Sequence, residues 1–215
     1  MGTLEDISGF LQQGRAPKVK QLIAAAIDEG FSAKEILEEG LLSGMGVIGE
    51  KFKNNQVFVP EVLIAARAMN AGLELLKPLL LEASVEDRGV VVIGTVKGDQ
   101  HDIGKNLVKM MMEGRGLKVI DLGVDVSAEK YIAAAKEHGA QIIACSALLT
   151  TTMGEMRRVV EEVAKSDLCG RVKIMIGGAP VTDQYRESIG ADKYTPDAAS
   201  AADAAIKLCE KLKSA

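Results

Sequence analysis

The chain has 215 residues, of which 47% are hydrophobic, 26% charged and 3% aromatic, and its formal net charge is −4. These values are typical of a globular protein with an aliphatic core, and they argue against a disordered chain and against a basic surface for nucleic acid. No apolar run is long enough to span a membrane, and the N-terminal MGTLEDISGF lacks the pattern of a secretory signal. The three cysteines are far apart and form no Cys-x-x-Cys pair, so we expect a cytoplasmic protein without a disulfide framework.

The first part of the chain, residues 1–82, carries apolar residues at the three- and four-residue spacing of amphipathic helices. Helix boundaries divide this part into four helices. They are marked by glycines at helix ends (Gly14 and Gly30), prolines at first-turn positions (Pro17 and Pro60) and a capping box formed by Ser32 and Glu35. Four helices joined by short connections predict an antiparallel four-helix bundle.

The polar segment at residues 83–89 is the predicted linker, and the pattern changes at residue 90. Residues 90–215 contain short runs rich in β-branched residues, such as VVVIGTV and KVIDLGV, which alternate with helical segments. Continuous apolar strands that alternate with helices predict a parallel sheet covered on both faces. With a last strand near DKYT, the predicted fold class is α/β: a helical cap domain (residues 1–82) followed by a flavodoxin-like, Rossmann-type domain with a five-stranded parallel sheet.

The carboxyl ends of the predicted strands point to one candidate site. Ligands of doubly wound sheets bind beyond these ends, and here the strands are followed by GDQHDIG, SALLTTT and GGAP. Each segment alone has an ordinary explanation, respectively a surface histidine, a threonine that caps a helix, and a glycine turn. Together they predict a shared rim formed by Asp99, His101, Gly104, Ser146, Thr150, Thr152, Gly177 and Gly178.

Asp99 and His101 stand two residues apart in the first of these loops. At this spacing the carboxylate can accept the N–H of one ring nitrogen and leave the other nitrogen free, which is how many metal-binding histidines are held. The chain has only two histidines, however, and a single protein ligand is too few for a closed zinc or iron site. The remaining ligands would have to come from a macrocycle that brings its own nitrogens.

DQHDIG, followed downstream by SAL and GG, resembles the Asp-x-His-x-x-Gly signature of cobalamin-binding domains. The stretch GMGVIGEKFKNNQVFVPEVLIAARAM resembles the helical cap that precedes this domain in methionine synthase and in corrinoid methyl-carrier proteins. The resemblance covers nearly the whole chain. It implies that the cofactor is cobalamin or a related corrinoid, with its cobalt, in the methylcobalamin form.

The resemblance also implies roles for individual residues of the sheet domain. His101 would be the lower axial ligand of the cobalt and Asp99 its hydrogen-bond partner, while Thr152 stands where methionine synthase has a serine that assists this pair. The other expected corrinoid contacts are Gly98, Gln100, Asp102 and Gly104 in the segment GDQHDIG, together with Thr150 and Ala198. The channel for the nucleotide tail is expected along Ser146, Leu148, Gly177 and Gly178.

In the cap, the resemblance implies that Phe52 and Val59 press on the upper face of the corrin and shield the methyl group. Glu38 matches a carboxylate near that face, although its neighbour Glu39 fits the same position. Phe52 has an alternative interpretation as a core residue of the bundle. The second histidine, His138, precedes a glycine at a predicted helix end, where we expect a structural role.

The implied function is that of a methyl carrier in a multi-component methyltransferase system, not catalytic on its own. Its expected partners are a substrate:corrinoid methyltransferase, a methylcorrinoid:acceptor methyltransferase that passes the methyl group to tetrahydrofolate or a thiol, and a reductive activation protein. We expect it to bind neither nucleic acid nor a membrane. Two alternatives stay open: a corrinoid-binding subunit of an adenosylcobalamin-dependent isomerase, which would lack the cap, and a corrinoid-sensing regulator, which would add a DNA-binding module. The sequence does not distinguish methanol, a methylamine, betaine or an aromatic methyl ether as the methyl donor.

Overall fold

The computed structural model describes residues 2–82 and 88–214, without the side chains of residues 81 and 82. The chain divides into two compact units, Met1–Glu86 and Asp87–Ala215. Most of the expected linker, residues 83–87, lies outside the described residues. Among the described residues, no helix combines the length and the apolarity that crossing a membrane requires.

The first unit is helical throughout its regular structure. The predicted capping box is confirmed, because the Ser32 hydroxyl accepts the N–H of Glu35 (3.2 Å) and the Glu35 carboxylate accepts the N–H of Ser32 (2.9 Å). The third of the four predicted helices spans residues 33–53, and its middle part is a π-helical segment that the sequence pattern did not predict. The elements are α1 (Thr3–Gln12), α2 (Ala16–Asp28), α3 (Ala33–Glu35), which continues through the π-helical segment (Ile36–Leu42) into α4 (Ser43–Lys53), and α5 (Val59–Glu82).

Two glycines allow α1 to lie close to the third helix. A Cβ atom at Gly40 would come within 3.0 Å of the Ile7 side chain, and one at Gly44 would come within 3.0 Å of the Ser8 carbonyl oxygen. Both contacts are tighter than ordinary van der Waals packing. The small residues at these positions therefore set the approach of the two helices.

The second unit is the predicted doubly wound α/β domain, and its five strands are all parallel in the order β2-β1-β3-β4-β5. The order reverses at β1, so the switch point lies between β1 and β3, and the loops that follow these strands flank it. The elements are β1 (Val90–Thr95), α6 (Ile103–Glu113), β2 (Lys118–Asp121), α7 (Ala128–His138), β3 (Ile142–Ser146), α8 (Met153–Lys165), β4 (Lys173–Gly177), α9 (Asp183–Ile189), β5 (Lys193–Tyr194) and α10 (Ala198–Lys213).

Burial of the central strands explains their continuous apolar sequences. Val92, Ile143 and Ile174 belong to a core that includes Tyr131 of α7 and Met156 of α8. Strand register aligns the carboxyl ends, because Thr95 pairs with Ser146 and Ser146 pairs with Gly177. The loops predicted to share one rim therefore leave the sheet side by side.

The two adjacent glycines after β4 differ in what surrounds them. The backbone of Gly178 has φ +135°, and a Cβ atom there would lie 1.9 Å from the Ala147 carbonyl oxygen. A Cβ atom at Gly177 would meet only the Thr195 carbonyl oxygen, at 3.9 Å. The protein's own backbone thus accounts for Gly178, while the open space that the sequence interpretation assigned to both glycines lies beside Gly177.

We therefore expect Gly178→Ala to lower the free energy of unfolding by about 2 kcal/mol or more, because it combines a strained φ with a backbone clash. Gly177→Ala is the matched control and should change this free energy by less than about 1 kcal/mol, since its Cβ atom meets no obstacle. Urea unfolding of both variants, followed by circular dichroism, measures the difference. Equal stabilities would contradict the assignment of strain to Gly178.

Candidate functional site

The loop between β1 and α6 (residues 96–102), called the histidine loop because it contains His101, folds back against the end of β1. The Thr95 hydroxyl donates a hydrogen bond to the His101 carbonyl oxygen (2.9 Å), and the Asp99 N–H donates to the Val96 carbonyl oxygen (3.1 Å). Gly98 makes the turn with φ +80°, a left-handed conformation that favours glycine. These bonds hold Asp99 and His101 at the switch point of the sheet.

The Asp99 side chain is fully buried and joins the loops after β1 and β3. Its Oδ1 accepts from the backbone N–H of His101 (3.1 Å) and from Nδ1 of the same residue (2.8 Å). Its Oδ2 accepts from the N–H groups of Leu148 (2.8 Å) and Leu149 (3.1 Å) and from the Thr152 hydroxyl (2.9 Å). Burial alone would raise the pKa of Asp99, but the hydrogen bonds from His101, Leu148 and Leu149 outweigh it and hold this pKa well below its ordinary value.

The ionised Asp99 determines which nitrogen of His101 carries the proton. Because a carboxylate can only accept, Nδ1 of the neutral ring is the protonated nitrogen and Nε2 keeps its lone pair. The His101 side chain is 51% exposed, and Nε2 has no hydrogen-bond partner in the described part of the chain. The ring therefore offers one nitrogen to a metal.

No group of three or more His, Cys, Asp or Glu residues that could hold a metal ion occurs within residues 2–82 and 88–214. A metal at His101 would need most of its ligands from another source.

Thr152 occupies the N-cap position of α8 without capping it, so the capping interpretation is wrong for this threonine. Its hydroxyl oxygen lies 2.9 Å from Oδ2 of Asp99 and 2.9 Å from the Leu149 carbonyl oxygen. A hydroxyl has one proton, so it donates to one of these acceptors at a time. Thr152 is thus in contact with the Asp99–His101 pair.

The other predicted residues of this unit differ in their exposure. Ser146 is partly buried, and its hydroxyl has no hydrogen-bond partner among the described residues. Ala198 is buried, 5% exposed, as the first residue of α10. The exposed members of the predicted set are Gln100, Asp102, Gly104, Leu148, Thr150 and the glycines Gly98 and Gly178.

Two apolar residues of this edge were missed in the sequence interpretation. Ile103 is 80% exposed and follows the histidine loop directly, and Leu149 is 40% exposed and donates to Asp99. Together with Leu148, which is 44% exposed, they are exposed aliphatic residues in the segments that adjoin the polar pair. Ile103 could have been noticed as an apolar residue in the first turn of α6, where it does not belong to the buried stripe of that helix.

A buried ion pair anchors the first turn of α6. Lys105 is 3% exposed, and its ammonium group donates to Asp121 at the end of β2 (2.6 Å) and to Asn106 (2.7 Å). Burial raises the pKa of Asp121, but the hydrogen bonds from Lys105 and from the N–H of Gly123 bring it below its ordinary value. This pair, which the sequence interpretation did not include, ties the start of α6 to the neighbouring strand.

The predicted cap residues belong to the helical unit. Phe52 is partly buried in α4, Val59 is the partly buried first residue of α5, and Glu38 and Glu39 are both exposed in the π-helical segment. The bundle-core interpretation of Phe52 and the shielding interpretation are both compatible with partial burial. The expected role of these residues at the upper face of a corrin stays a prediction.

Both units match known sequence families. Residues 89–206 match the B12 binding domain family, and residues 3–77 match a second family that is also described as a B12 binding domain.

Among curated proteins, a corrinoid protein of Desulfitobacterium hafniense is 37% identical over 99% of this chain and 98% of its own length. Trimethylamine corrinoid protein 1 of Methanosarcina mazei is 43% identical over 81% of this chain and 82% of its own. Among solved structures, the methanol:cobalamin methyltransferase complex of Methanosarcina barkeri contains a chain that is 30% identical, with a TM-score of 0.84 over 98% of this chain and 84% of that one. By the match over residues 89–206 and by these relatives, the chain belongs to the B12-binding domain family of corrinoid proteins.

Proposed function

We propose that the chain is a methyl carrier that binds cobalamin or a related corrinoid and serves two methyltransferases in turn. The observation that carries this proposal is the pair formed by Asp99 and His101, in which a buried carboxylate holds the proton on Nδ1 and leaves Nε2 free. The names of the relatives, which include a trimethylamine corrinoid protein and a methanol:cobalamin methyltransferase complex, support it. The bound corrinoid supplies the chemistry, because its cobalt accepts and releases the methyl group.

The residues at the switch point suit a corrinoid. The macrocycle brings its own nitrogen ligands, so the protein needs to offer only one, and His101 offers Nε2. The exposed side chains of Ile103, Leu148 and Leu149 provide apolar contact for a flat ring system beside that nitrogen. His101 would hold the metal from the lower side and displace the nucleotide base.

The displaced nucleotide tail needs a path along the sheet. We assign this path to Ser146, Leu148 and Gly177, because no described residue hydrogen-bonds the Ser146 hydroxyl and the space beside Gly177 is open. Gly178 contributes to this path through the backbone turn that it allows. Ala198 and Thr150 would contact the tail and the ring periphery, respectively.

Asp99 and Thr152 act on His101 without binding the metal. Asp99 holds the proton at Nδ1, which makes the imidazole a stronger donor through Nε2. The Thr152 hydroxyl supports the carboxylate, and it can turn to the Leu149 carbonyl oxygen when the charge on Asp99 changes. Gly98, Gln100 and Asp102 complete the loop that presents His101, and Gly104 lies in the first turn of α6.

The helical unit would cover the upper face of the corrin with Phe52 and Val59, and Glu38 would lie near that face. The match of residues 3–77 supports a carrier over a subunit of an adenosylcobalamin-dependent isomerase, for which no such cap is expected. The partner proteins would then be three. A substrate:corrinoid methyltransferase would bring the methyl donor, a methylcorrinoid:acceptor methyltransferase would bring tetrahydrofolate or a thiol, and a reductive activation protein would restore the reduced cobalt.

The first prediction concerns the nitrogen bound to cobalt. When the protein is labelled with ¹⁵N-histidine and loaded with cob(II)alamin, the superhyperfine splitting in its electron paramagnetic resonance spectrum should change from a triplet to a doublet, because the axial nitrogen then comes from the labelled chain. His101→Ala should abolish the doublet. His138→Ala is the matched control and should keep it, since the chain has only these two histidines. A triplet in the labelled parent would mean that the nucleotide base stays on cobalt, contrary to the proposal.

The second prediction concerns Asp99→Asn. Its NH₂ group would leave two N–H groups unsatisfied if it faced Leu148 and Leu149, but only the backbone N–H of His101 if it faced that residue. It should therefore turn toward His101 and donate to Nδ1, which favours the tautomer in which Nε2 carries the proton. We expect the histidine splitting to be lost and corrinoid affinity to fall roughly 10- to 100-fold. Thr152→Ala, which removes only a hydroxyl from the same carboxylate, should be milder in both measurements. A variant that keeps its splitting and affinity would contradict the tautomer argument.

Asp99→Asn should also change how the stability of the apoprotein depends on pH. The pKa of Asp99 is lowered in the folded state, so its contribution is fully present above its unfolded pKa of about 4 and is lost as the pH falls below that value toward the folded pKa. Below pH ~4 the parent should therefore lose up to about 1.4 kcal/mol per pH unit more than the variant. Urea unfolding at several acidic pH values measures both slopes, and parallel slopes would show that Asp99 has an ordinary pKa.

A further prediction tests the carrier role. A methyltransferase encoded beside this chain should transfer a labelled methyl group from its donor to the corrinoid-loaded protein much faster than to free hydroxocobalamin reduced under the same conditions. His101→Ala should slow this transfer more than it lowers corrinoid retention, because the tail path still binds the nucleotide. Asp192→Ala, at the other end of the sheet, should transfer as the parent does. A partner that methylates free and protein-bound corrinoid equally would argue against a carrier.

A further inference from the structure

The loop after β2 lies beside the histidine loop and is bonded to it at several points. Along the strand ends, the Thr95 N–H donates to the Gly123 carbonyl oxygen (3.0 Å), and the Val126 N–H donates to the Thr95 carbonyl oxygen (2.9 Å). Farther out, the N–H of Asp125 donates to the Asp99 carbonyl oxygen (3.0 Å). The loop after β2 thus continues the sheet's hydrogen bonding outward toward the site.

Asp125 binds the histidine loop with its side chain as well. Its Oδ1 accepts the N–H of Gly98 at 2.7 Å, so Asp125 binds both the N–H of Gly98 and the carbonyl oxygen of Asp99. No other oxygen in the described part of the chain accepts the Gly98 N–H. Since Gly98 is a glycine at φ +80°, this bond restrains a position that would otherwise be conformationally free.

Asp125 itself has an unusual backbone. Its φ is +55°, and among the described residues only Asn55 shares a positive φ without being glycine. Aspartate and asparagine tolerate this conformation better than other residues with side chains. Asp125 is also exposed, so its carboxylate does not serve the hydrophobic core. Both the backbone conformation and the side chain are used for contacts with Gly98 and Asp99.

We propose that Asp125 is a positioning residue of the corrinoid site, which holds Gly98 and Asp99 in place so that the Asp99 carboxylate bridges His101 and the loop after β3. The inference rests on the proposed function. Its reason is preorganisation: a histidine loop that is already fixed before the corrinoid arrives loses less conformational freedom on binding. Without the carboxylate of Asp125, the Gly98 turn would have to be ordered by the ligand.

The test compares three variants at this position. Asp125→Ala removes the acceptor and should weaken hydroxocobalamin binding roughly tenfold, with a smaller fraction of cob(II)alamin showing the histidine splitting. Asp125→Gly keeps the left-handed backbone but also lacks the acceptor, so it should resemble Asp125→Ala. Asp125→Asn keeps an oxygen acceptor and tolerates the backbone, so its affinity should stay within about twofold of the parent.

Asp192→Ala is the matched control. Its carboxylate accepts the N–H of Ile174 (2.8 Å) near the amino end of β4, so it loses the same type of bond at the end of the sheet away from the site. It should leave affinity and histidine ligation unchanged. If it weakens corrinoid binding as much as Asp125→Ala does, general destabilisation explains the result and the proposal is overturned.

A measurement on the apoprotein gives a readout that does not depend on the cofactor. Amide exchange followed by NMR should be faster at Gly98 in Asp125→Ala than in the parent, while amides of β3 and β4 keep their rates. Unchanged exchange at Gly98 together with parental affinity overturns the positioning role alone. A parent protein that takes up no corrinoid overturns the proposed function itself, whatever the exchange rate of Gly98.

Discussion

A single buried carboxylate is the constraint on which this site depends. Removing an ion from water costs several kcal/mol unless hydrogen bonds replace the lost hydration. At Asp99 that replacement comes from two loops that are 49 to 53 residues apart in the chain, through Leu148, Leu149 and Thr152 on one side and His101 on the other. The carboxylate therefore joins these two loops and also fixes the proton of the His101 ring on Nδ1.

The topology of the sheet makes this arrangement available. Because the strand order reverses at β1, the loops after β1 and β3 are neighbours with no helix between them, and the register places Thr95, Ser146 and Gly177 in one row. Oδ2 of Asp99 also lies against the residues that begin α8, where the helix dipole favours negative charge. Backbone geometry and electrostatics thus act in the same direction, toward an ionised Asp99.

The site combines rigid polar contacts with an exposed apolar rim. The Lys105–Asp121 pair ties α6 to β2, and Asp125 ties the histidine loop to the loop after β2, so β2 and the loop that follows it supply both restraints. Ile103, Leu148 and Leu149 stay exposed beside them. The site thus offers a ligand nitrogen that is fixed before binding, next to apolar surface that a large flat cofactor can cover. Both features agree with membership of the B12-binding family.

The sequence by itself determined the order of helices and strands, the parallel sheet, the Ser32 capping box and the pairing of Asp99 with His101, because each can be inferred from local patterns, either the periodicity of a segment or residues two or three positions apart. Only the tertiary structure distinguished Gly178, which faces the backbone of Ala147, from Gly177, which faces open space. Only the tertiary structure decided between the two interpretations of Thr152, which contacts Asp99 instead of capping α8. The π-helical segment and the hydrogen bond between Asp125 and Gly98, which are 27 residues apart, could likewise not be predicted from the sequence. Periodicity reports which face of a segment is buried, whereas these features depend on which distant backbone group the fold brings within hydrogen-bonding or van der Waals distance.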